Sequence, residues 1–353
     1  MGTGSAGGDV AGTVFTRQVG IEVPLICGAM YPCSNVELVA AVSAAGAIGV
    51  VQPISMEYVH GESLRDGLRR IGALTDNPVG FNAIVEKSVR AYEQRMRRWV
   101  GEALEEGVRF FITALGNPRW VVEAVHGAGG VVYHDVTERK WALKALDGGV
   151  DGLICVNERA GGHAGTRSAG ALFAELADLD VPLICAGGVG APADFAAALG
   201  LGYAGAQLGT RFIATTECRA HAEYKQAVVA AGAADIVHTV KLSGVPVSVI
   251  ATPFVRRVGT HAGPLARWLL RGRRTKHWMR SFYALRALRQ LKHASLEGSA
   301  YRDYWQAGKS VAGIDEVLPA AEVVSRFAAA WRASANLDGC ARGADSAENR
   351  HGS

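Results

Sequence analysis

The chain has 353 residues, of which 49% are hydrophobic and 20% charged, with a formal net charge of +4 and 44 glycines. Such a composition supplies a sizeable core and excludes a disordered chain, and no apolar run is long enough to cross a bilayer. The six cysteines form no CxxC pair and no zinc-type spacing, which argues against a metal framework and fits a reducing cytoplasm.

In chain order, residues 1–17 are rich in Gly and small residues and read as a flexible tail without the features of a secretory signal. Residues 18–255 then alternate short β-branched apolar runs with helical stretches. The runs are 23–29, 47–52, 79–84, 108–114, 131–135, 152–156, 182–187 and 204–209. Helical periodicity marks 36–45, 90–106, 119–128, 138–147 and 191–199. Near-continuous apolar strands between helices indicate a parallel sheet buried on both faces. Eight such units predict an α/β fold, a closed (β/α)8 TIM barrel. The first strand runs into Gly28-Ala29-Met30-Tyr31-Pro32 rather than GxGxxG, which sets aside a doubly wound dinucleotide fold.

Beyond the barrel, no Asp or Glu occurs from Arg256 to Leu296, while eleven arginines and lysines interleave with Leu265, Trp268, Leu269, Trp278, Phe282, Leu285 and Leu288. The stretch 256–300 reads as a basic amphipathic helical segment, 301–336 as a helical part returning to the barrel, and 337–353 as a disordered tail. The basic charge suits an acidic carrier protein, a CoA thioester or an anionic membrane surface. A solvated helical lid over the barrel mouth is the alternative, and no nucleic-acid-binding motif accompanies it.

Functional groups of such a barrel gather just after its strands. Gly28, Ala29 and Met30 follow the first, a small-residue turn that lets backbone lie flat against a ring. Asn82 ends the third and can both donate and accept. His134 and Asp135 end the fifth; His134 reads either as a polar group over a ligand or as a partner of Asp135. Ala186, Gly187 and Gly188 end the seventh strand, and Gly209 and Thr210 the eighth. Gly187, Gly188, Gly209 and Thr210 suit a phosphate held by backbone N–H groups at helix N-termini, the alternative being tight turns alone. After the sixth strand, Gly161 and Gly162 clear space for His163. Its near-neutral imidazole can exchange a proton with a substrate carbon. His221 and His238 read as structural.

Several of these pieces stand together in a known pattern. Cys27-Gly28-Ala29-Met30, Ala41-Val42-Ser43-Ala44-Ala45-Gly46-Ala47-Ile48-Gly49, Gly80-Phe81-Asn82, Ala160-Gly161-Gly162-His163-Ala164-Gly165, Ala186-Gly187-Gly188 and Gly209-Thr210-Arg211-Phe212-Ile213-Ala214-Thr215 resemble the nitronate monooxygenase family, formerly 2-nitropropane dioxygenases. The likeness covers roughly residues 18–255 and resumes from Tyr304-Trp305-Gln306-Ala307-Gly308-Lys309-Ser310 to Glu322. It implies FMN in the barrel mouth, with Ala29 and Met30 along the isoalloxazine, Asn82 near it, and Gly161 and Gly162 approaching the ring. His163 then matches the catalytic base for nitroalkanes, and nitronates donate an electron to FMN, whose reduced form reacts with oxygen. The same motifs resemble FMN-dependent enoyl-[acyl carrier protein] reductases and other flavin reductases. Those take hydride from NAD(P)H and pass it to an enoyl thioester or a quinone. The chain departs from the pattern at Cys27, at Asn157-Glu158-Arg159 and in its long basic segment; Arg159 either meets an anionic substrate or faces solvent.

Overall fold

A computed structural model describes residues 12–86, 90–242, 245–261, 289–293, 295–296 and 304–348, with side chains through 335. Eight parallel strands close into a barrel: β1 Leu25–Cys27, β2 Ile48–Val51, β3 Gly80–Ile84, β4 Phe110–Ala114, β5 Val131–Val136, β6 Gly152–Val156, β7 Leu183–Ala186 and β8 Gly205–Leu208. The helices outside it include α1 Val14–Val19, α2 Val36–Ala44, α3 Leu64–Leu74, α4 Arg90–Glu105, α5 Arg119–Gly127, α6 Arg139–Asp147, α7 Ala169–Leu176 and α8 Pro192–Gly200. The predicted TIM barrel is thus the observed one, and each of the eight apolar runs supplies one strand. Strands β1, β7 and β8 stop one or two residues before their runs end, because their last small residues turn into the mouth loops.

Hydrogen-bond register and the twofold alternation of strand side chains sort the interior into layers of four, drawn in turn from odd and even strands. Ile26, Gly80, Tyr133 and Ile184 form one layer. Val50, Ile112, Ile154 and Gln207 lie above it. The next layer towards the strand C-termini is Gly28, Asn82, Asp135 and Ala186, topped by Gln52, Ala114, Val156 and Gly209. The lower layers are apolar and closed to solvent apart from the half-buried Gln207; above them Gly28 is buried, whereas Asn82 and Asp135 are half-buried beneath the mouth.

The bottom is sealed by Phe15 from α1, whose ring lies 5.7 Å from that of Phe110 and 5.6 Å from that of Tyr133. Thr13 starts this helix by accepting the Thr16 N–H at 3.2 Å, and Gly20, at φ 76°, ends it in the left-handed conformation. Residues 14–17, read as part of a flexible tail, therefore belong to the barrel's floor, because burying one aromatic ring there closes the core. Residues 1–11 lie outside the described residues.

After β8 come α9 Thr210–Ile213, α10 Ala222–Ala230, an antiparallel hairpin of β9 Ile236–Thr239 and β10 Val247–Ile250, and α11 Pro253–Val258. Of the basic segment, 262–288, 294 and 297–300 lie outside the described residues, and so does most of its charge. The C-terminal helix Ala320–Glu348 packs on α8 and α2 and continues through the stretch expected as a disordered tail from 337. Among the described residues, no helix is long and apolar enough to cross a membrane.

Candidate active site

The mouth is built from the strand ends upward. On β1, the Gly28 N–H donates to the Leu208 carbonyl at 2.9 Å, tying the first loop to the last strand. A Cβ at Gly28 would stand 2.9 Å from Cγ of Gln207, so only glycine leaves room for that inward side chain. Ala29 packs on the barrel interior. Met30 turns back, its N–H donating to Ser34 Oγ at 2.9 Å while its sulfur lies towards Gly209.

Across the mouth, Asn82 and Asp135 occupy the same layer as Gly28 and Ala186. Asp135 as a whole is half-buried, but its Oδ1 is enclosed and has no hydrogen-bond partner among the described residues. Loss of water around the carboxylate pushes its pKa up to about 7. In the layer below, Gln207 Oε1 is likewise buried without a partner. Two unanswered polar atoms inside a largely apolar barrel, in layers next to the polar Asn82 and Gln52, mark where a polar-edged ligand would dock.

His134 takes neither of its two expected roles. It faces outward between β4 and β5, its Nδ1 2.8 Å from Thr113 Oγ1, because side chains alternate along β5 and Asp135 holds the inward position. Burial lowers its pKa to about 4, so the ring is neutral.

Beyond β6, Gly162 adopts a left-handed φ of 65° directly before the exposed His163. The loop is clamped from outside: the Ser248 N–H of β10 donates to the Gly162 carbonyl at 2.8 Å. His163 is solvent-accessible yet ringed by protein, and the lost hydration pulls its imidazole below the usual 6.5. At neutral pH it is therefore an unprotonated base. His221 caps α10, accepting the Glu223 N–H at 3.3 Å, and His238 lies 3.3 Å from Ser248 Oγ; both match their structural reading.

The two glycine loops lie side by side. Gly187, at φ 114°, packs so closely on the β6 loop that a Cβ would stand 2.6 Å from the Ala160 nitrogen. A Cβ at Gly188 would meet the Arg159 side chain at 2.9 Å. Both glycines thus serve the tight-turn role, whatever else their backbone binds. Asp194 of α8 accepts the Gly190 and Ala191 N–H groups at 3.0 and 2.9 Å and fixes the far end of this loop.

Residues 304–313 lie in the stretch expected as a helical part returning to the barrel; 304–308 are not helical, and Lys309–Gly313 form a short 3-10 turn. This segment straps the loops after β6, β7 and β8 together. The Gly308 N–H donates to Thr210 Oγ1 at 3.0 Å, the Lys309 N–H donates to the Arg159 carbonyl at 2.9 Å, and a Cβ on Gly190 would overlap the Ser310 carbonyl. The hydroxyl of Thr210 is thereby occupied as an acceptor and keeps its own proton to donate. Gly161 is required for this strap, since a Cβ there would stand 3.0 Å from the Gly308 nitrogen. The exposed Arg159 side chain stands beside the same loops. Gln207, also missed, carried a signal: a polar residue amid the apolar run of β8.

The nitronate monooxygenase family model matches residues 13–329 of this chain, the whole barrel, hairpin and strap. The chain belongs to the nitronate monooxygenase family. It is 28% identical to a nitronate monooxygenase of Pseudomonas aeruginosa, over 65% of this chain and 77% of that protein. It is 30% identical to (3aS,4S,5R,7aS)-5-hydroxy-7a-methyl-1-oxo-octahydro-1H-indene-4-carboxyl-CoA dehydrogenase of Rhodococcus jostii, over 71% of this chain and 69% of that protein. Among solved structures, FabK from Thermotoga maritima superposes with a TM-score of 0.76 at 26% identity, covering 93% of this chain and 98% of that one. Family membership makes the chain an oxidoreductase of the flavin-dependent type. The site suits that cofactor in its chemistry: Asn82, Asp135 and Gln207 would offer polar atoms to the edges of a ring, and two of these atoms are buried without a partner among the described residues.

Proposed function

We propose that this chain binds FMN and oxidises alkyl nitronates with oxygen. The observation that carries the reading is a pair of buried polar atoms without partners among the described residues, Asp135 Oδ1 and Gln207 Oε1, beside the inward small and polar positions Gly28, Asn82 and Ala186; the accessible, unprotonated His163 would stand over them. Ala29 and Met30 would flank the ring, Gly161 and Gly162 would approach it, and Gly187, Gly188, Gly209 and Thr210 would hold the phosphate. Bound there, the flavin supplies the electron acceptor for the substrate and the electron donor to oxygen. His163 takes the proton from the carbon next to a nitro group, a step that a preformed nitronate no longer needs. The buried, unpaired cysteines Cys27, Cys33, Cys155, Cys185 and Cys218 fit a cytoplasmic location.

A second reading, hydride transfer between NAD(P)H, flavin and an acyl thioester, is favoured by the CoA dehydrogenase relative and by the cationic segment 256–296. An acidic carrier protein or a CoA thioester would then be the partner of that segment.

Anaerobic absorbance spectra of the FMN-loaded protein, mixed separately with an alkyl nitronate, NADH, NADPH and an enoyl-CoA, separate the two. Bleaching by the nitronate alone is expected. In His163→Ala, nitroalkane turnover should fall at least a hundredfold while nitronate bleaching persists. Rapid bleaching by a nicotinamide with the nitronate inert overturns the first reading in favour of the second.

A further inference from the structure

The four-residue layer under the mouth contains one ionisable group, Asp135, and it stands where a charge is poorly tolerated. Its layer-mates Gly28, Asn82 and Ala186 bring no charge, and the positions directly beneath are Ile112, Ile154, Val50 and the neutral Gln207. Across the strand pairings, the titratable neighbour on β6 is Cys155, whose thiol burial holds firmly protonated. On the other side, His134 and Thr113 face away from the barrel and bond each other. Among the described residues neither lysine nor arginine offsets Asp135, and burial accounts for its raised pKa. An enclosed carboxylate oxygen without a donor has lost its water and gained nothing. The same oxygen carrying a proton becomes a donor in need of an acceptor.

We propose that Asp135 enters the loaded site as a neutral carboxylic acid whose hydroxyl donates a hydrogen bond to an acceptor atom of the flavin ring. The inference rests on the FMN reading above and adds to it the protonation state and role of one residue. A neutral acid tolerates, and binds more tightly, a ring that gains negative charge on reduction, whereas a carboxylate in its place would repel it. Asp135 is a positioning residue: it orients and tunes the ring and takes no proton from substrate.

Proton linkage fixes the expected behaviour. If FMN binds the chain only with Asp135 protonated, its affinity is constant below the titration of the empty site. It then weakens by about tenfold for each pH unit above it. The FMN phosphate, with a second pKa of about 6, and His163 both titrate below that range and leave it clear.

The test is FMN affinity, read by quenching of flavin fluorescence on the full chain from roughly pH 6.5 to 9. Wild type should lose affinity at least tenfold across this range. Asp135→Asn, which keeps a neutral donor, should bind like wild type at the acid end and show no pH slope. Asp135→Leu should bind weakly throughout. Infrared difference spectra supply a second measure on the unmodified chain. A carboxylic-acid carbonyl band should titrate away above neutral pH in the empty protein and persist when FMN is bound. A flat wild-type profile, the same slope in Asp135→Asn, or an ionised Asp135 in the loaded protein would overturn the proposal while leaving FMN binding intact. Failure of wild type to bind FMN even at the acid end would instead remove the cofactor reading, and this inference with it.

Discussion

His134 and Asp135 are adjacent on β5, face opposite ways, and titrate in opposite senses. His134 is buried neutral, with a pKa depressed to about 4. It therefore favours the folded chain above its ordinary 6.5 and loses about 3 kcal/mol of that stability as the pH falls towards 4. Asp135 is raised from 3.8 to about 7, so its stability is fully present below 3.8. About 4 kcal/mol of it is lost as the pH rises to 7. Between these limits the two contributions largely cancel. Asp135→Asn removes one of them. Its advantage over wild type in urea unfolding should grow by several kcal/mol between pH 4 and pH 7, in FMN-free protein. A constant difference across that interval would show that Asp135 is not desolvated. At this scale the sequence was only partly legible. Asp135 and His134 both stood out as strand-end polar residues. Which of them faces the interior depends on the parity of β5 against its neighbours, and that is a property of sheet register. The same is true of Gln207, whose polarity showed in the sequence but whose inward direction did not.

The hairpin β9–β10 is the element that ties down the loop carrying His163. It does so through a single backbone hydrogen bond, from Ser248 to Gly162, while the Ser248 carbonyl accepts the Ala307 N–H from the strap at 3.4 Å. Replacing Ser248 with proline removes the donor and leaves the barrel strands untouched. Turnover should fall about tenfold through a loosened His163, with circular dichroism and melting close to wild type, since one such bond contributes only about 1 kcal/mol. Unchanged turnover would mean that the hairpin does not position His163. The eight barrel strands were readable because each is an apolar run bounded by turn residues, the pattern of a strand buried on both faces. The hairpin was not, because its strands are four residues each, carry polar His238, Thr239 and Ser248, and owe their existence to partners far away in sequence.

For the molecule as a whole, the barrel is closed at one end and open at the other, and the difference lies in a few residues. Phe15 plugs the lower end with its ring fully buried against Phe110 and Tyr133. Phe15→Ala should cost about 3–5 kcal/mol of global stability, seen as a lower urea midpoint, because the barrel strands cannot collapse into the space left behind. A loss below about 1 kcal/mol would show that α1 is an appendage rather than the floor. The motifs after the strands located the open end from sequence alone. The closed end was missed, because the few apolar residues around Phe15, next to a glycine-rich start, form a helix too short to give a clear periodic signal.

The strap 304–313 also sets an order of events. A chain leaving the ribosome presents all eight barrel strands well before Gly308 and Ser310 emerge to tie down Thr210, Arg159 and Gly190. The nascent protein can bury its hydrophobic interior while the rim of its mouth is still unfastened. The rim is therefore completed late: it is fastened only once residues 304–313 have emerged and folded back over the loops that follow β6, β7 and β8.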